Sequence, residues 1–136
     1  MRLILCFFAL CILTGCATSP IPAERAKRVP SDRLLAYQNK PDEAYGTVIV
    51  TRDTGVTGAG CKMYVYIDGT HAASLWSGET ARFYLPVGNR IIGVNTPMYC
   101  GGGLKEHQQL VGAKQNHRLR ISTDTSFVID IAPTAF

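Results

Sequence analysis

The chain has 136 residues, of which 46% are hydrophobic and 18% are charged, and its formal net charge at pH 7 is +4. This length accommodates one ordinary domain rather than two. The 9% of aromatic residues and the 13 glycines are typical of a packed domain and exclude a collagen-like or disordered chain. The Lys and Arg residues form no long basic run, so no nucleic-acid partner is indicated.

The N-terminal residues predict a secretion signal. Arg2 follows the initiating methionine, and an apolar run of 11 residues extends from Leu3 to Leu13. This run is shorter than the about 20 residues that cross a bilayer, but it suits the apolar region of a signal peptide. The sequence Leu13-Thr14-Gly15-Cys16 resembles the lipobox of bacterial lipoproteins. The alternative is a plain secretory peptide that is cleaved elsewhere.

The lipobox resemblance implies a membrane partner and a location. It implies that residues 1–15 are removed, that Cys16 is linked to diacylglycerol, and that its new amine is acylated, for example with palmitate. Several acyl chains make a lasting anchor, whereas one chain binds only marginally. In lipoproteins of this type an Asp after the cysteine implies retention in the inner membrane. Ala17 therefore favours the outer membrane, with the domain facing the periplasm.

The cysteines fit an oxidising compartment. Of the five in the chain, Cys6 and Cys11 lie in the signal peptide and Cys16 is the lipidation site, which leaves Cys61 and Cys100. An even pair in the periplasm predicts one disulfide. A metal site or a reactive thiol is the alternative, although two isolated cysteines without CxxC spacing make a poor zinc site.

Residues 16–45 predict a lipid-anchored tether, because they hold four of the seven prolines and little hydrophobic periodicity. One short helix is expected near residues 31–38, with Ser31 as its cap. We expect this helix to dock on the domain through Leu34, Leu35 and Tyr37.

Residues 46–136 predict an all-β domain. Short β-rich runs are separated by Gly, Asp, Asn and Pro turns, and residues 62–68 and 80–85 alternate cleanly between apolar and polar positions. The final run, residues 127–131, places Phe127, Ile129 and Ile131 inward. About seven to eight strands without a helical period predict a small two-sheet antiparallel β-sandwich. A Cys61–Cys100 bond would fasten the start of the second strand to the glycine-rich loop at residues 101–103.

Part of this domain resembles a known module. The segments Tyr64-Val65-Tyr66-Ile67-Asp68-Gly69, Ala73 to Glu79 and Phe83-Tyr84-Leu85-Pro86-Val87-Gly88-Asn89, followed by Ile92-Gly93-Val94, are similar to the PEGA-type module. They are especially similar to an uncharacterised group of Gram-negative lipoproteins that contain it. The resemblance implies a small β-sandwich at the cell envelope and supplies no catalytic residues.

The chain shows no catalytic, cofactor-binding or metal-binding motif, so we expect neither an enzyme nor a bound cofactor or metal. His117 is expected to be a partly buried structural residue. The alternation instead turns Tyr64, Tyr66 and Tyr84 outward, with Trp76 in a neighbouring turn, and these four form a candidate interaction face. The alternative is ordinary cross-strand pairing on a solvated face, or cover by the 31–38 helix.

The predicted function is a lipid-anchored structural or protein-interaction module that binds an envelope protein or a glycan. The alternative is a periplasmic inhibitor of a cell-wall hydrolase. Small disulfide-bonded β lipoproteins also block lysozyme-type enzymes, and Ser77-Gly78 faintly resembles one such inhibitor motif, although the partner motif is missing.

Overall fold

A computed structural model describes residues 17–136, so the predicted signal peptide and the predicted lipidation site, Cys16, lie outside the described residues. The described part is a two-sheet, all-β fold, which confirms the predicted fold class. Its strands are β1 (Lys27–Arg28), β2 (Tyr45–Arg52), β3 (Met63–Ile67), β4 (Thr70–Leu75), β5 (Glu79–Pro86), β6 (Gly88–Asn95), β7 (Lys105–Val111), β8 (Asn116–Thr123) and β9 (Ile129–Pro133).

The sheets have the strand orders β1-β5-β2-β8-β9 and β4-β3-β6-β7. The four-stranded sheet is antiparallel, as predicted. The five-stranded sheet is mixed, because β8 runs parallel to β2 and β1 runs parallel to β5. Parallel neighbours need a long connection, and the segment from β3 to β7 provides it between β2 and β8.

The core lies between the sheets and is built by the alternating positions of their strands. Met63, Val65 and Ile67 of β3 are fully buried, and they face Phe83 and Leu85 of β5 across the sandwich. The period-2 burial of these strands confirms the facing that was predicted from their sequence.

The segment before β2, residues 17–44, is bound along the sandwich and does not form the free tether that the sequence predicts. We call it the lead segment. The Ser19 amide donates to the Thr54 carbonyl (2.8 Å), β1 pairs with the edge of β5, and the Tyr84 amide donates to the Tyr37 carbonyl (2.9 Å). These bonds use backbone groups, which leave no periodic side-chain pattern in the sequence.

The helix expected near residues 31–38 is a single 3₁₀ turn, Ser31–Arg33. It ends because the next residues pair with β4: Leu34 forms a bridge to Ala73, and the Leu35 amide donates to the Ala72 carbonyl (2.8 Å). Leu34 and Tyr37 pack against the core, as predicted, whereas Leu35 is exposed. Within residues 17–136, no helix is long and apolar enough to cross a membrane.

The last strand begins two residues later than predicted. Phe127 has a φ of 63° in the turn between β8 and β9 and is exposed, so it does not join the core as expected. The Asp124 carboxylate accepts hydrogen bonds from the amides of Ser126 and Val128 and thereby closes this turn.

One end of the sandwich collects most of the long connections, and we call it the chain-entry end. It carries residues 53–62, 76–78, 96–104 and 124–128, because β2, β4, β6 and β8 all finish there. The lead segment begins at the same end, where the Thr18 hydroxyl donates to the Asp53 carboxylate (3.1 Å).

Candidate interaction face

The outer face of the four-stranded sheet carries a cluster of aromatic rings, Tyr64, Tyr66 and His71, which we call the aromatic cluster. The His71 ring stacks on Tyr66, with ring centroids 5.2 Å apart and an interplanar angle of 29°. The His71 ring also contacts the Tyr64 ring edge to face, with ring centroids 5.2 Å apart. A register shift between Val65 and Tyr66 sets His71 opposite Tyr66, and all three rings are half-buried.

Trp76 extends this face toward the chain-entry end. The Lys62 ammonium lies 5.7 Å from the centroid of the Trp76 ring, which is within range of a cation–π contact. Tyr64, Tyr66 and Trp76 of the predicted interaction face therefore share one side of the molecule.

Tyr84, the fourth predicted member, lies on the opposite sheet, so the predicted four-residue face is wrong in this respect. Its ring contacts Tyr45 edge to face at 5.9 Å, and the Lys40 ammonium lies 5.7 Å from its centroid. Alternation along a strand predicts which side chains point outward. It does not predict which of two sheets the strand joins.

The outer face of the five-stranded sheet is partly covered, in contrast to that of the four-stranded sheet. Thr47, Ile49 and Thr51 point outward from β2 and are nevertheless buried. Glu24 of the lead segment forms an ion pair with Arg118 on this face. The open remainder is a crevice of about 520 Å³ beside Ala26, Arg82 and Tyr84. The aromatic cluster therefore lies on the more open of the two sheet faces.

The predicted disulfide is confirmed. Cys61 and Cys100 are joined at an S–S distance of 2.04 Å. The bond connects the loop before β3 to the 3₁₀ turn Met98–Cys100, beside the glycine-rich residues. Gly102 has a φ of 97°, and a Cβ there would lie 2.7 Å from the Ile129 side chain, so only glycine fits.

Arg52 is a structural residue that the sequence analysis missed. It is only 3% exposed and donates to the carbonyls of Gly58 (2.6 Å), Cys61 (2.5 Å) and Leu75 (3.0 Å). Burial lowers the pKa of Arg52 to about 10, which keeps the guanidinium charged at neutral pH. Its one sequence signal is its position on the inward face of β2, in phase with Val48 and Val50.

A second buried charge, Glu79, fastens the lead segment. Arg33 donates two hydrogen bonds to its carboxylate (2.6 and 2.8 Å), and the Trp76 amide donates a third (2.8 Å). Burial raises the pKa of Glu79, but the bonds from Arg33 and Trp76 together outweigh burial and leave the pKa below its usual value.

The Glu79→Gln substitution is expected to reduce the acid sensitivity of folding. Because the folded state lowers the pKa of Glu79, its stabilisation is present above the unfolded-state pKa of about 4.3 and is lost as the pH falls through the folded value. At pH 7 the variant should lose about 2 kcal/mol of unfolding free energy through weakened charge-assisted hydrogen bonds. Urea unfolding between pH 7 and pH 3 measures both effects. The exposed Glu43→Gln is the control, and parallel pH curves for the wild type and Glu79→Gln would contradict this account.

The remaining polar candidates have structural contacts. The half-buried His117 ring is hydrogen-bonded to Gln109 (3.0 Å) and accepts from the Gly112 amide (3.3 Å), as expected of a structural histidine. The Ser77 hydroxyl donates to the Asp53 carbonyl (3.2 Å) and so belongs to a turn contact. Among the described residues, no group of three or more His, Cys, Asp or Glu side chains is placed to hold a metal ion.

The comparisons with known proteins leave the PEGA-like character of residues 64–94 as a prediction from their sequence. No protein-family model, no curated protein and no solved structure matches this chain.

Proposed function

We propose that this chain is a lipid-anchored envelope protein whose sandwich docks a partner protein through the aromatic cluster. Cys16 supplies the anchor, and Ala17 favours the outer membrane with the domain facing the periplasm. The observation that carries the proposal is the contrast between the two sheets: the lead segment covers part of one outer face, while the other presents Tyr64, Tyr66 and His71.

The chemistry of this face suits protein recognition. Tyr and Trp are enriched at the centres of protein interfaces, because they bury a large area at a small cost in side-chain entropy. The His71 ring already contacts both tyrosine rings, so little side-chain ordering is left to occur on binding. The PEGA-like pattern of the same strands agrees with an envelope interaction module.

The test is site-specific photo-crosslinking in living cells with the full chain. The crosslinker replaces Glu106, which is exposed on β7 in the row of Tyr66 and Gly93. A crosslinker at the exposed Arg82, on the opposite sheet, is the matched control. We expect one dominant protease-sensitive product from the Glu106 position, a weaker product in a Cys16→Ser background, and none from Arg82.

Removing the two tyrosines should break this contact. We expect Tyr64→Ala with Tyr66→Ala to lower the yield of the crosslinked product at least tenfold, since two interface tyrosines contribute well over the 1.4 kcal/mol that a factor of ten represents. Tyr84→Ala should leave the yield unchanged. Equal losses from both variants would contradict the assigned face, and a product removed by muramidase rather than protease would indicate a glycan partner instead.

A further inference from the structure

Exposed apolar side chains collect at the chain-entry end. Val56 is 88% exposed, Met98 99% and Tyr99 85%, and Phe127 and Val128 are exposed in the loop between β8 and β9. We call these five residues the apolar loop tips. They come from three separate loops, and the fold brings the loops to one end of the sandwich. Large exposed apolar groups gathered from separate loops commonly mark a contact surface.

Two of these three loops contain no charged residue. Residues 54–61 and 96–104 contain no Asp, Glu, Lys or Arg. In the third loop, the Asp124 carboxylate accepts hydrogen bonds from two amides of its own turn. Lys62 and Lys105 lie at the borders of the loops, where β3 and β7 begin. Lys105 is paired with the Asp130 carboxylate (3.7 Å), so the match to the interfacial layer of a bilayer rests on the apolar tips, with Lys62 at their margin.

The path of the chain places this end beside the anchor. Thr18 is bonded to Asp53 and to Thr123, and Ser19 is paired with Thr54, so the lead segment is fixed from its second described residue. Only Ala17 separates Thr18 from Cys16 in the sequence. Two residues span at most about 7 Å, which is comparable to the thickness of one headgroup layer. The chain therefore has no slack with which to hold the domain away from lipids attached to Cys16.

A disulfide bond and the hydrogen bonds of a buried arginine hold the loop tips in place. The Cys61–Cys100 disulfide joins the loop of Val56 to the turn of Met98 and Tyr99. Arg52 binds the Gly58 and Cys61 carbonyls of the first loop from within the core. The apolar tips are therefore presented by ordered loops, which reduces the cost of ordering them at a surface.

We propose that the apolar loop tips form a membrane seat, which rests in the interfacial layer of the bilayer that carries the acyl chains of Cys16. This seat depends on the lipid anchor of the proposed function and adds an orientation to it. The chain-entry end faces the lipid, and the aromatic cluster faces sideways along the membrane surface. Tyr99 and Trp76, each with an apolar ring and a polar tip, suit the headgroup level.

The chain offers a built-in reporter, because Trp76 is the single tryptophan and lies at the chain-entry end. The full-length lipidated protein is reconstituted into vesicles of phosphatidylethanolamine and phosphatidylglycerol, with and without brominated phosphatidylcholine. Mass spectrometry of the N-terminal peptide records the acylation state, and flotation records vesicle binding. We expect bromolipid to quench the Trp76 emission at least twofold.

The loop tips are tested by a triple variant, Val56→Ser, Met98→Ser and Tyr99→Ser, whose exposed positions contribute little to folding. It should float with vesicles as the wild type does but lose at least half of the bromolipid quenching. Val87→Ser with Leu110→Ser, exposed away from this end, is the control and should retain full quenching.

The possible outcomes distinguish a failure of the membrane seat from a failure of the lipid anchor at Cys16. A lipidated protein that floats without bromolipid quenching overturns the seat and leaves the anchor intact, and so does a triple variant quenched as strongly as the wild type. A chain that carries no acyl group and does not float overturns both.

Discussion

Replacing both disulfide cysteines, Cys61→Ala with Cys100→Ala, is expected to lower the free energy of unfolding by about 4 kcal/mol. The bond joins residues 39 positions apart, so its loss frees a long loop in the unfolded chain. The chain-entropy model gives that magnitude for a loop of about 40 residues. Urea unfolding of the oxidised protein and of the double variant measures the difference, with the midpoint and the slope fitted separately.

Reduced wild-type protein is the natural control for this variant. Reduction removes the same crosslink without changing the core, so the reduced protein and the double variant should unfold at the same denaturant concentration. If the reduced protein remains as stable as the oxidised form, the bond contributes only to the local order of the loops at residues 53–62 and 96–104. In that case the estimate from loop length is wrong for this fold.

The strands with alternating apolar and polar side chains could be predicted from the sequence. The course of the lead segment could not, because backbone hydrogen bonds determine it. Residues 62–68 and 80–85 sit in the strands expected of them, because one face of each is buried and the other is not. The lead segment has no such pattern, since most of its bonds to β4 and β5 come from amides and carbonyls, with the Arg33–Glu79 ion pair as a side-chain addition. A proline-rich stretch that is bound by its backbone therefore resembles a tether in sequence.

The candidate interaction face was likewise predicted only where side-chain alternation determines it. The outward positions of Tyr64, Tyr66 and Tyr84 follow from period-2 alternation, and the disulfide was predicted from an even pair of cysteines behind a predicted secretion signal. The separation of Tyr84 from the other two depends on β3 and β5 joining different sheets, and that assignment is set by pairings between distant segments. His71 joins the cluster only because of the register shift in the pairing of β3 with β4, which leaves no signal in the sequence.

The Arg52→Met substitution is expected to lower the free energy of unfolding by about 3 kcal/mol, from about 1 kcal/mol for each hydrogen bond lost. Methionine retains much of the apolar volume of the stem, but it leaves the carbonyls of Gly58, Cys61 and Leu75 without their donor. Relief of the buried charge offsets part of this loss. Urea unfolding measures the change, and Arg82→Met, exposed on β5, is the matched control and should stay within about 0.5 kcal/mol of wild type.

Arg52→Lys separates charge from geometry at this site. The planar guanidinium reaches carbonyls in the 53–62 loop and at the end of β4 at the same time, whereas a compact ammonium cannot span them. We therefore expect lysine to recover less than half of the loss seen with methionine. Hydrogen exchange at the amides of Ala59 and Cys61, which close turns in this loop, should accelerate in both variants. Full recovery by lysine would mean that Arg52 acts through its positive charge alone, and unchanged exchange would mean that the disulfide orders the loop without it.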